Sequence, residues 1–248
     1  MTNNYLVLND SKTEVLHFTS RFAKDTPISH ITAGDAQVKL VPKARDLGVL
    51  LDSHMTLTPQ INKTCRNASF AIKKIGSIRK YLDRHTTEKL IHAFVTSRLD
   101  SCNSLLIGLP RKDIQRLQHI QNSAARLVTL SKRYDHITPV LHDLHWLPIA
   151  QRIEFKVLLT TFKILMDLAP TYLAELVNTY VPSRTLRSSS QNLLQVPAPR
   201  TKTYGQRAFS TMAPMLWNAL PINIRKATSV PQFKNLLKKH LFRVAYDL

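Results

Sequence analysis

Apolar residues in the middle of the chain recur every three or four positions, which is the spacing of one face of an α-helix. Three successive series follow this spacing: Ile61, Cys65, Ala68, Ile72, Ile75, Ile78 and Leu82; Ile91, Val95, Leu99, Cys102 and Leu106; and Ile114, Leu117, Ile120, Ala124, Leu127 and Leu130. Helix starts are favoured at 58–59 and at Pro110, and joints between helices at 83–87 and 108–110. Residues 58–133 are therefore predicted to form a bundle of three helices.

Residues 1–57 carry shorter apolar runs that are typical of strands and turns. Over 15–19 the side chains alternate as they do on the two faces of a strand. An apolar run with a glycine inside it spans 46–52, which fits a buried strand or a hairpin, and the Gly-Asp pair at 34–35 suits a turn. This region is predicted to be a small β region.

The remaining residues mix helix with extended chain. Residues 134–181 contain a long helical stretch at 149–166 and a second helix start at Pro170. Residues 182–207 are rich in Pro, Ser and Thr and hold five basic residues and no acid, which indicates an extended basic connection. Residues 208–248 are predicted to return to helix, over 209–220 and 230–242. The predicted fold class is α+β and mostly α.

The positive charge of the chain is concentrated after the β region. The chain has 35 Lys and Arg against 16 Asp and Glu, a net charge of +19. Residues 1–57 have no net charge, residues 58–133 carry +11 and residues 134–248 carry +8. An excess of this kind indicates a polyanionic partner, usually nucleic acid and sometimes an anionic membrane.

The basic residues of the helical bundle lie largely outside its apolar series, so each helix can bury one face and present the other to phosphates. On the first helix these residues are Lys63, Arg66, Lys73, Lys74, Arg79 and Lys80, and further along they are Lys89, Arg98, Arg111, Lys112, Arg116, Arg126, Lys132 and Arg133. For any single helix, an ordinary solvated surface is the favoured interpretation. A net charge of +11 over one bundle favours salt-sensitive, sequence-tolerant binding to nucleic-acid backbone.

Several other classes of function are disfavoured by the composition. Two cysteines are too few for a disulfide framework or a four-cysteine zinc site, so the chain is interpreted as intracellular and reduced, with Cys65 and Cys102 as small buried hydrophobes. No apolar run reaches the length of a membrane span, and the first residues do not resemble a signal peptide. Phosphate-binding glycine loops, nucleophile elbows and adjacent aspartates are absent from the sequence.

The residues with candidate metal chemistry also have simpler interpretations. Asp46 and Asp52, six residues apart along a strand, lie roughly 20 Å from each other and share no metal unless a sharp turn separates them. His142 and His145 fall on one helical face, but packing is the favoured role because a third ligand is lacking. Trp146 lies beside them, and its apolar setting predicts a core position, as it does for Trp217.

A set of short segments, in order along nearly the whole chain, resembles reverse transcriptases of jockey-like non-LTR retrotransposons. Leu6-Val-Leu-Asn-Asp-Ser-Lys-Thr-Glu14 is similar to the block that follows the family's catalytic box, and Leu47-Gly-Val-Leu-Leu-Asp52 is similar to the primer-grip hairpin. The thumb and C-terminal region are matched by Gln121-Asn-Ser-Ala-Ala-Arg126, Leu144-His-Trp-Leu-Pro148, Pro170-Thr-Tyr-Leu173, Leu186-Arg-Ser188, Ala213-Pro-Met-Leu-Trp-Asn218 and Phe233-Lys-Asn-Leu-Leu-Lys238.

This resemblance implies an RNA-directed DNA polymerase (reverse transcriptase) fragment of a transposable element: an end-of-palm remnant over 1–57, a thumb over 58–133 and a C-terminal region. The family's metal-binding aspartates belong upstream of the Lys12 block, so we expect a truncated chain that binds template–primer RNA and DNA without polymerising. Mg²⁺ is implied for the complete enzyme only, and the natural partners are the missing palm, fingers and endonuclease.

Specific roles follow from the same resemblance. Lys12 matches the family lysine near the incoming nucleotide's phosphates, and Leu47, Gly48 and Val49 would place backbone against the primer end. The thumb residues expected to contact nucleic acid are Arg66, Lys73, Lys74, Arg79, Lys80, Arg116 and Arg126, and the basic connection adds Arg184, Arg187, Arg200, Lys202 and Arg207 as contacts to RNA or target DNA.

Two alternatives stay open. In the first, the sequence is an incomplete gene model and an upstream exon supplies the aspartates of an active reverse transcriptase. In the second, the helical bundle is an interaction module that binds a protein or an anionic membrane surface.

Overall fold

The computed structural model describes residues 12–20, 28–33, 36–182, 191–201 and 203–247. These residues are mostly helical with two small antiparallel sheets, so the predicted α+β, mostly α class is confirmed. The chain divides into two compact units, residues 1–63 and 64–248.

The first unit is built around two short hairpins. Strand β1 (His30–Ala33) pairs with β2 (Ala36–Lys39), and β3 (Lys43–Asp46) pairs with β4 (Val49–Asp52), both antiparallel. The β3–β4 pair confirms the hairpin over 46–52. The expected strand over 15–19 is reduced to one isolated bridge, between Val15 and Leu40. The side chains of this segment are at most half-buried. The predicted turn at 34–35 lies outside the described residues.

The three predicted helices of the bundle are present. Helix α1 (Thr58–Ile78) ends in a 3₁₀ turn at Arg79–Tyr81. The second is divided into α2 (Arg84–Ile91), a π-helical turn (His92–Thr96) and α3 (Ser97–Asp100), and a 3₁₀ turn at Asn103–Leu106 leads on to α4 (Arg111–Thr129). Cys102 was predicted to be buried and is exposed, because the helix has ended and its backbone turns left-handed at φ 52°.

The joint between α3 and α4 depends on a glycine. Gly108 has a φ of +68°, and a Cβ placed on it would lie 2.7 Å from Cγ of Arg207. Only glycine combines this backbone conformation with so close an approach. The joint predicted at 108–110 therefore also receives a side chain from the C-terminal part of the chain.

The C-terminal helices form the second part of the larger unit. They are α5 (Ile137–Asp143), α6 (Ile149–Leu165), α7 (Thr171–Ala174), α8 (Phe209–Ala219), α9 (Ile222–Arg225) and α10 (Val230–Tyr246). The long helices α6, α8 and α10 lie where helices were predicted, over 149–166, 209–220 and 230–242. Their buried faces meet in one core, centred on Phe162, Trp217 and Phe233.

The start of α2 is fixed by an aspartate. Oδ1 of Asp83 accepts a hydrogen bond of 2.6 Å from the backbone N–H of Thr86, an N-cap contact that supplies one of the helix's unpaired donors with an acceptor. This backbone hydrogen bond is the main cause that lowers the pKa of Asp83 below its ordinary 3.8. The cap therefore contributes stability at neutral pH and loses it as the pH falls through the lowered pKa.

A substitution pair tests the cap. We expect Asp83→Ala to lower the melting temperature, whereas Asp83→Asn keeps it, because the amide oxygen accepts the same bond without a charge. The difference between the wild-type chain and Asp83→Ala shrinks below about pH 4. Differential scanning calorimetry at pH 7 checks the cap, and equal melting temperatures for the two variants would contradict it.

Candidate nucleic-acid interface

Helix α1 presents one polar stripe that is exposed throughout. At 100° per residue, positions 66, 69, 70, 73, 74 and 77 fall within one side of the helix, and all six are exposed. Three of them are basic: Arg66, Lys73 and Lys74. The stripe from 66 to 77 extends about 16 Å along the helix axis. It is long enough to follow several successive phosphates of one strand.

Exposed aromatic rings lie beside two basic side chains of α1 and its 3₁₀ turn. The Nζ of Lys74 is 4.7 Å from the ring centroid of Phe70, and the Nζ of Lys80 is 4.8 Å from that of Tyr81. Phe70 is 59% exposed and Tyr81 is 76% exposed. Each cation–π contact contributes about 0.5–1 kcal/mol at an exposed site. Such pairs offer a charge to a phosphate and a flat apolar surface to a sugar or base.

The acids of the bundle are already bound to other groups. Asp83 caps α2, Glu88 accepts from Nε1 of Trp146, and Asp100 pairs with Arg152. Oδ1 of Asp113 lies 3.9 Å from Nη1 of Arg116. No acidic residue occurs between Asp52 and Asp83 in the sequence. The exposed basic residues of α1 and its 3₁₀ turn, Arg66, Lys73, Lys74 and Lys80, therefore have no carboxylate partner among the described ion pairs.

Two arginines predicted to contact nucleic acid bind the chain's own carbonyls instead. Arg79 donates from Nε to the carbonyl of Leu127 at 2.9 Å and from Nη2 to that of Val128 at 3.0 Å. Arg126 donates to the carbonyls of Lys132 and Asp135. Both guanidiniums thus satisfy acceptors at or just after the end of α4. We assign them a structural role and leave them, with Arg116, out of the candidate surface.

The other basic residues predicted to contact nucleic acid are distributed over several elements. Lys89, Arg111, Lys112, Lys132 and Arg133 are exposed, as is Arg98, which donates to the carbonyl of Phe94. In the basic connection Arg200 is exposed and Arg207 is half-buried against Gly108. Arg184, Arg187 and Lys202 lie outside the described residues. Among the predicted contact residues, Arg66, Lys73 and Lys74 lie together on the exposed stripe of α1.

In the first unit, the tip of the β3–β4 hairpin is exposed. Leu47 and Gly48 form a two-residue turn with φ of 43° and 88°, and Leu47 is 96% exposed. Val49 is buried, its neighbour Leu50 donates its N–H to Gln60, and Nζ of Lys63 donates to the carbonyl of Gly48 at 3.2 Å. Leu47 and Gly48 can face a ligand, whereas the Val49 side chain anchors the hairpin. Lys12 is exposed, and the segment before it lies outside the described residues.

The aspartates of this hairpin stabilise backbone. A sharp turn does separate Asp46 and Asp52, but Asp46 is paired with Val49 at the tip and Asp52 with Lys43 at the base. The carboxylate of Asp52 accepts from the N–H groups of Thr56 and Leu57 at 3.0 and 2.7 Å. No group of three or more His, Cys, Asp or Glu among the described residues is placed to hold a metal. Asp46 and Asp52 therefore do not form the close pair of carboxylates that a polymerase Mg²⁺ site needs.

The histidine pair and the tryptophans contribute to packing. The ring of His142 lies 5.2 Å from that of Phe242 and 5.3 Å from that of Tyr246. The hydroxyl of Tyr246 donates to the carbonyl of buried Trp146 at 2.5 Å, and burial raises the pKa of Tyr246 to about 12. Trp217 is buried too, and its Nε1 donates to the carbonyl of Asn192. Burial likewise raises the pKa of the Cys65 thiol.

Several residues of the resemblance segments fix the joints of the fold. Asn218 both accepts from the N–H and donates to the carbonyl of Leu194. Gln121 is buried on α4 and donates from Nε2 to the carbonyl of Leu147 at 2.8 Å, and Gln118 accepts from the N–H of Ile149. These two glutamines hold α4 against the start of α6. Spacing alone did not identify them, because a polar residue inside an apolar stripe carries no periodic signal.

We expect Gln121→Ala to lower the free energy of unfolding by about 1–3 kcal/mol, because the buried carbonyl of Leu147 loses its donor. Ser123→Ala, at an exposed position of the same helix, is the control and is expected to change it by less than about 0.5 kcal/mol. Urea unfolding followed by far-UV circular dichroism measures both. Equal midpoints would show that the Gln121 bond does not hold the joint.

No helix among the described residues is both long and apolar enough to cross a bilayer. Comparison of the chain with protein-family models, with curated proteins and with solved structures gives no match.

Proposed function

We propose that this chain binds the sugar–phosphate backbone of a template–primer duplex, as the primer-grip, thumb and C-terminal part of a non-LTR retrotransposon reverse transcriptase. The observation that carries the proposal is the exposed row of Arg66, Lys73, Lys74 and Lys80, with the exposed rings of Phe70 and Tyr81 beside Lys74 and Lys80. The ordered set of family-like segments supports the choice of polymerase.

The chemistry of this row favours backbone over base readout. Lysine ammonium groups act as mobile point charges that attract phosphates without selecting a base. Binding releases the counterions condensed on the nucleic acid, so affinity depends on salt and tolerates different sequences. We propose backbone binding as the role of this chain.

A salt series with a fluorescently labelled primer–template duplex tests the proposal. With four phosphate contacts the slope of log affinity against log salt is about −3.6, and affinity falls about 100-fold between 50 and 200 mM salt. Absence of binding at 50 mM salt would contradict the proposal. Binding to anionic vesicles instead of the duplex would support an interaction module.

A further inference from the structure

A second candidate site lies among the C-terminal helices, away from the basic row of α1. It is a cleft of about 680 Å³ between the end of α6, the extended segments around Tyr180 and Leu193, and residues 225–228. One wall is apolar and includes Phe162, Leu165 and Met166. The rim carries Thr179, Asn192 and Thr228 as hydrogen-bonding groups. This size is within the usual range for small-molecule pockets, about 300–1,000 Å³.

Arg225 is a buried cation that lines this cleft. It is 8% exposed, and its Nε and Nη1 are buried without a hydrogen-bond partner among the described residues. Burying a guanidinium without an anion is costly, because the desolvation of the charge is not compensated. This burial also lowers the pKa of Arg225. An arginine nevertheless stays charged at neutral pH, so an anion bound in the cleft would offset this buried charge.

The local sequence supplies no anion for Arg225. The 71 residues from 176 to 246 contain 11 Lys and Arg and no Asp or Glu. Lys226, next in the chain, lines the same cleft and adds a second positive charge. The lining thus combines two adjacent cations and uncharged hydrogen-bonding groups with an apolar wall.

We propose that this cleft binds a terminal phosphomonoester carried by a nucleoside, with Arg225 and Lys226 holding the phosphate. A phosphomonoester carries a charge of about −1.5 to −2 at pH 7. This charge balances two neighbouring cations more fully than the single negative charge of a carboxylate. Arg225 contributes a fixed positive charge at the cleft, and the exposed Lys226 contributes a mobile one. The apolar wall and the exposed ring of Tyr180 can contact the nucleoside. A free nucleotide and the 5′ end of a strand share this chemistry.

Isothermal titration of the full chain tests the site with adenosine monophosphate, adenosine and inorganic phosphate as probes. We expect the monophosphate to bind at least about tenfold more tightly than adenosine, and Arg225→Met to weaken it by about 10–100-fold. Lys239→Met, an exposed position on α10, is the matched control and is expected to leave binding unchanged. Equal affinity for the monophosphate and adenosine would overturn the proposal, as would unchanged binding by Arg225→Met.

Stability separates a ligand-binding role of Arg225 from a structural one. Without ligand, Arg225→Met is expected to keep or raise the melting temperature, by about 2–4 °C per kcal/mol gained, because an apolar chain replaces an unpaired buried charge. If that variant fails to fold, Arg225 is structural and the exposed Lys226 decides the question. Lys226→Met is then expected to weaken monophosphate binding about tenfold at an unchanged melting temperature, and no loss would overturn the proposal.

Two further measurements identify the source of the phosphate and distinguish binding at this cleft from binding at the α1 row. Tighter binding of a 5′-phosphorylated oligonucleotide than of its 5′-hydroxyl form, compared at equal length, would assign the cleft to strand ends. Preference for the free monophosphate would assign it to nucleotides. The double variant Lys73→Glu, Lys74→Glu is expected to keep monophosphate binding. The proposal for the cleft and the proposal for the α1 row can therefore be contradicted independently.

Discussion

The double variant Lys73→Glu, Lys74→Glu is expected to bind a primer–template duplex about 100-fold more weakly than the wild-type chain at 100 mM salt. Both side chains are exposed on the polar stripe of α1, and the described residues place no carboxylate against either one. Each phosphate contact contributes a factor of roughly 8 at this salt concentration through counterion release. Loss of two contacts therefore gives about 60-fold, and repulsion by two introduced carboxylates weakens binding further.

The matched control is Lys238→Glu, Lys239→Glu on helix α10. It makes the same change in net charge at two exposed neighbouring lysines, and we expect it to weaken binding by less than about fivefold through the long-range field alone. Fluorescence anisotropy at 50, 100 and 200 mM salt gives both affinities and slopes. The α1 variant is expected to lose about two units of slope. Equal losses for both pairs would show that net charge, and not the α1 row, determines binding.

The second large effect concerns the stability of the C-terminal core. Phe233 is 0% exposed, and its ring stacks on Phe162 at a centroid distance of 4.2 Å and an interplanar angle of 10°. The ring centroid of Trp217 lies 5.8 Å from that of Phe233. Phe233→Ala is expected to lower the free energy of unfolding by about 3–5 kcal/mol, because it removes this burial and leaves a cavity among α6, α8 and α10.

Two controls accompany this prediction. Phe233→Leu keeps most of the apolar volume and is expected to cost roughly 1–1.5 kcal/mol. Phe70→Ala removes an equal ring from the exposed face of α1 and is expected to change stability by about 1 kcal/mol at most, the contribution of its cation–π contact with Lys74. Urea unfolding followed by far-UV circular dichroism gives the midpoints of all three variants. An unchanged midpoint for Phe233→Ala would mean that the three helices do not share one core.

The long helices could be predicted from the sequence because their buried faces are periodic. The series that includes Ala68 and Ile75 indicated α1, and those positions are buried. On α4 the buried face is rotated relative to the prediction: Gln121, Ala125 and Val128 are buried, whereas Leu130 is exposed. A single polar or small residue at a buried position is enough to shift the apparent stripe.

The partners of individual charged residues could not be predicted, because they depend on contacts between distant segments. Arg79 binds carbonyls 48 and 49 positions away, so its spacing on α1 suggested an exposed cation like Lys73. The cleft around Arg225 likewise combines segments from Phe162 to Thr228. Periodicity describes a helix face but does not indicate which distant loop covers it.

Lysine footprinting by mass spectrometry, with and without saturating primer–template duplex, tests the central claim that the exposed row of α1 contacts nucleic acid. We expect duplex to slow the acylation of Lys73, Lys74 and Lys80 severalfold, while Lys163 and Lys239, which are exposed on α6 and α10, react at unchanged rates. Unchanged reactivity of all three α1-row lysines while the duplex is bound would contradict the assignment of the interface to α1.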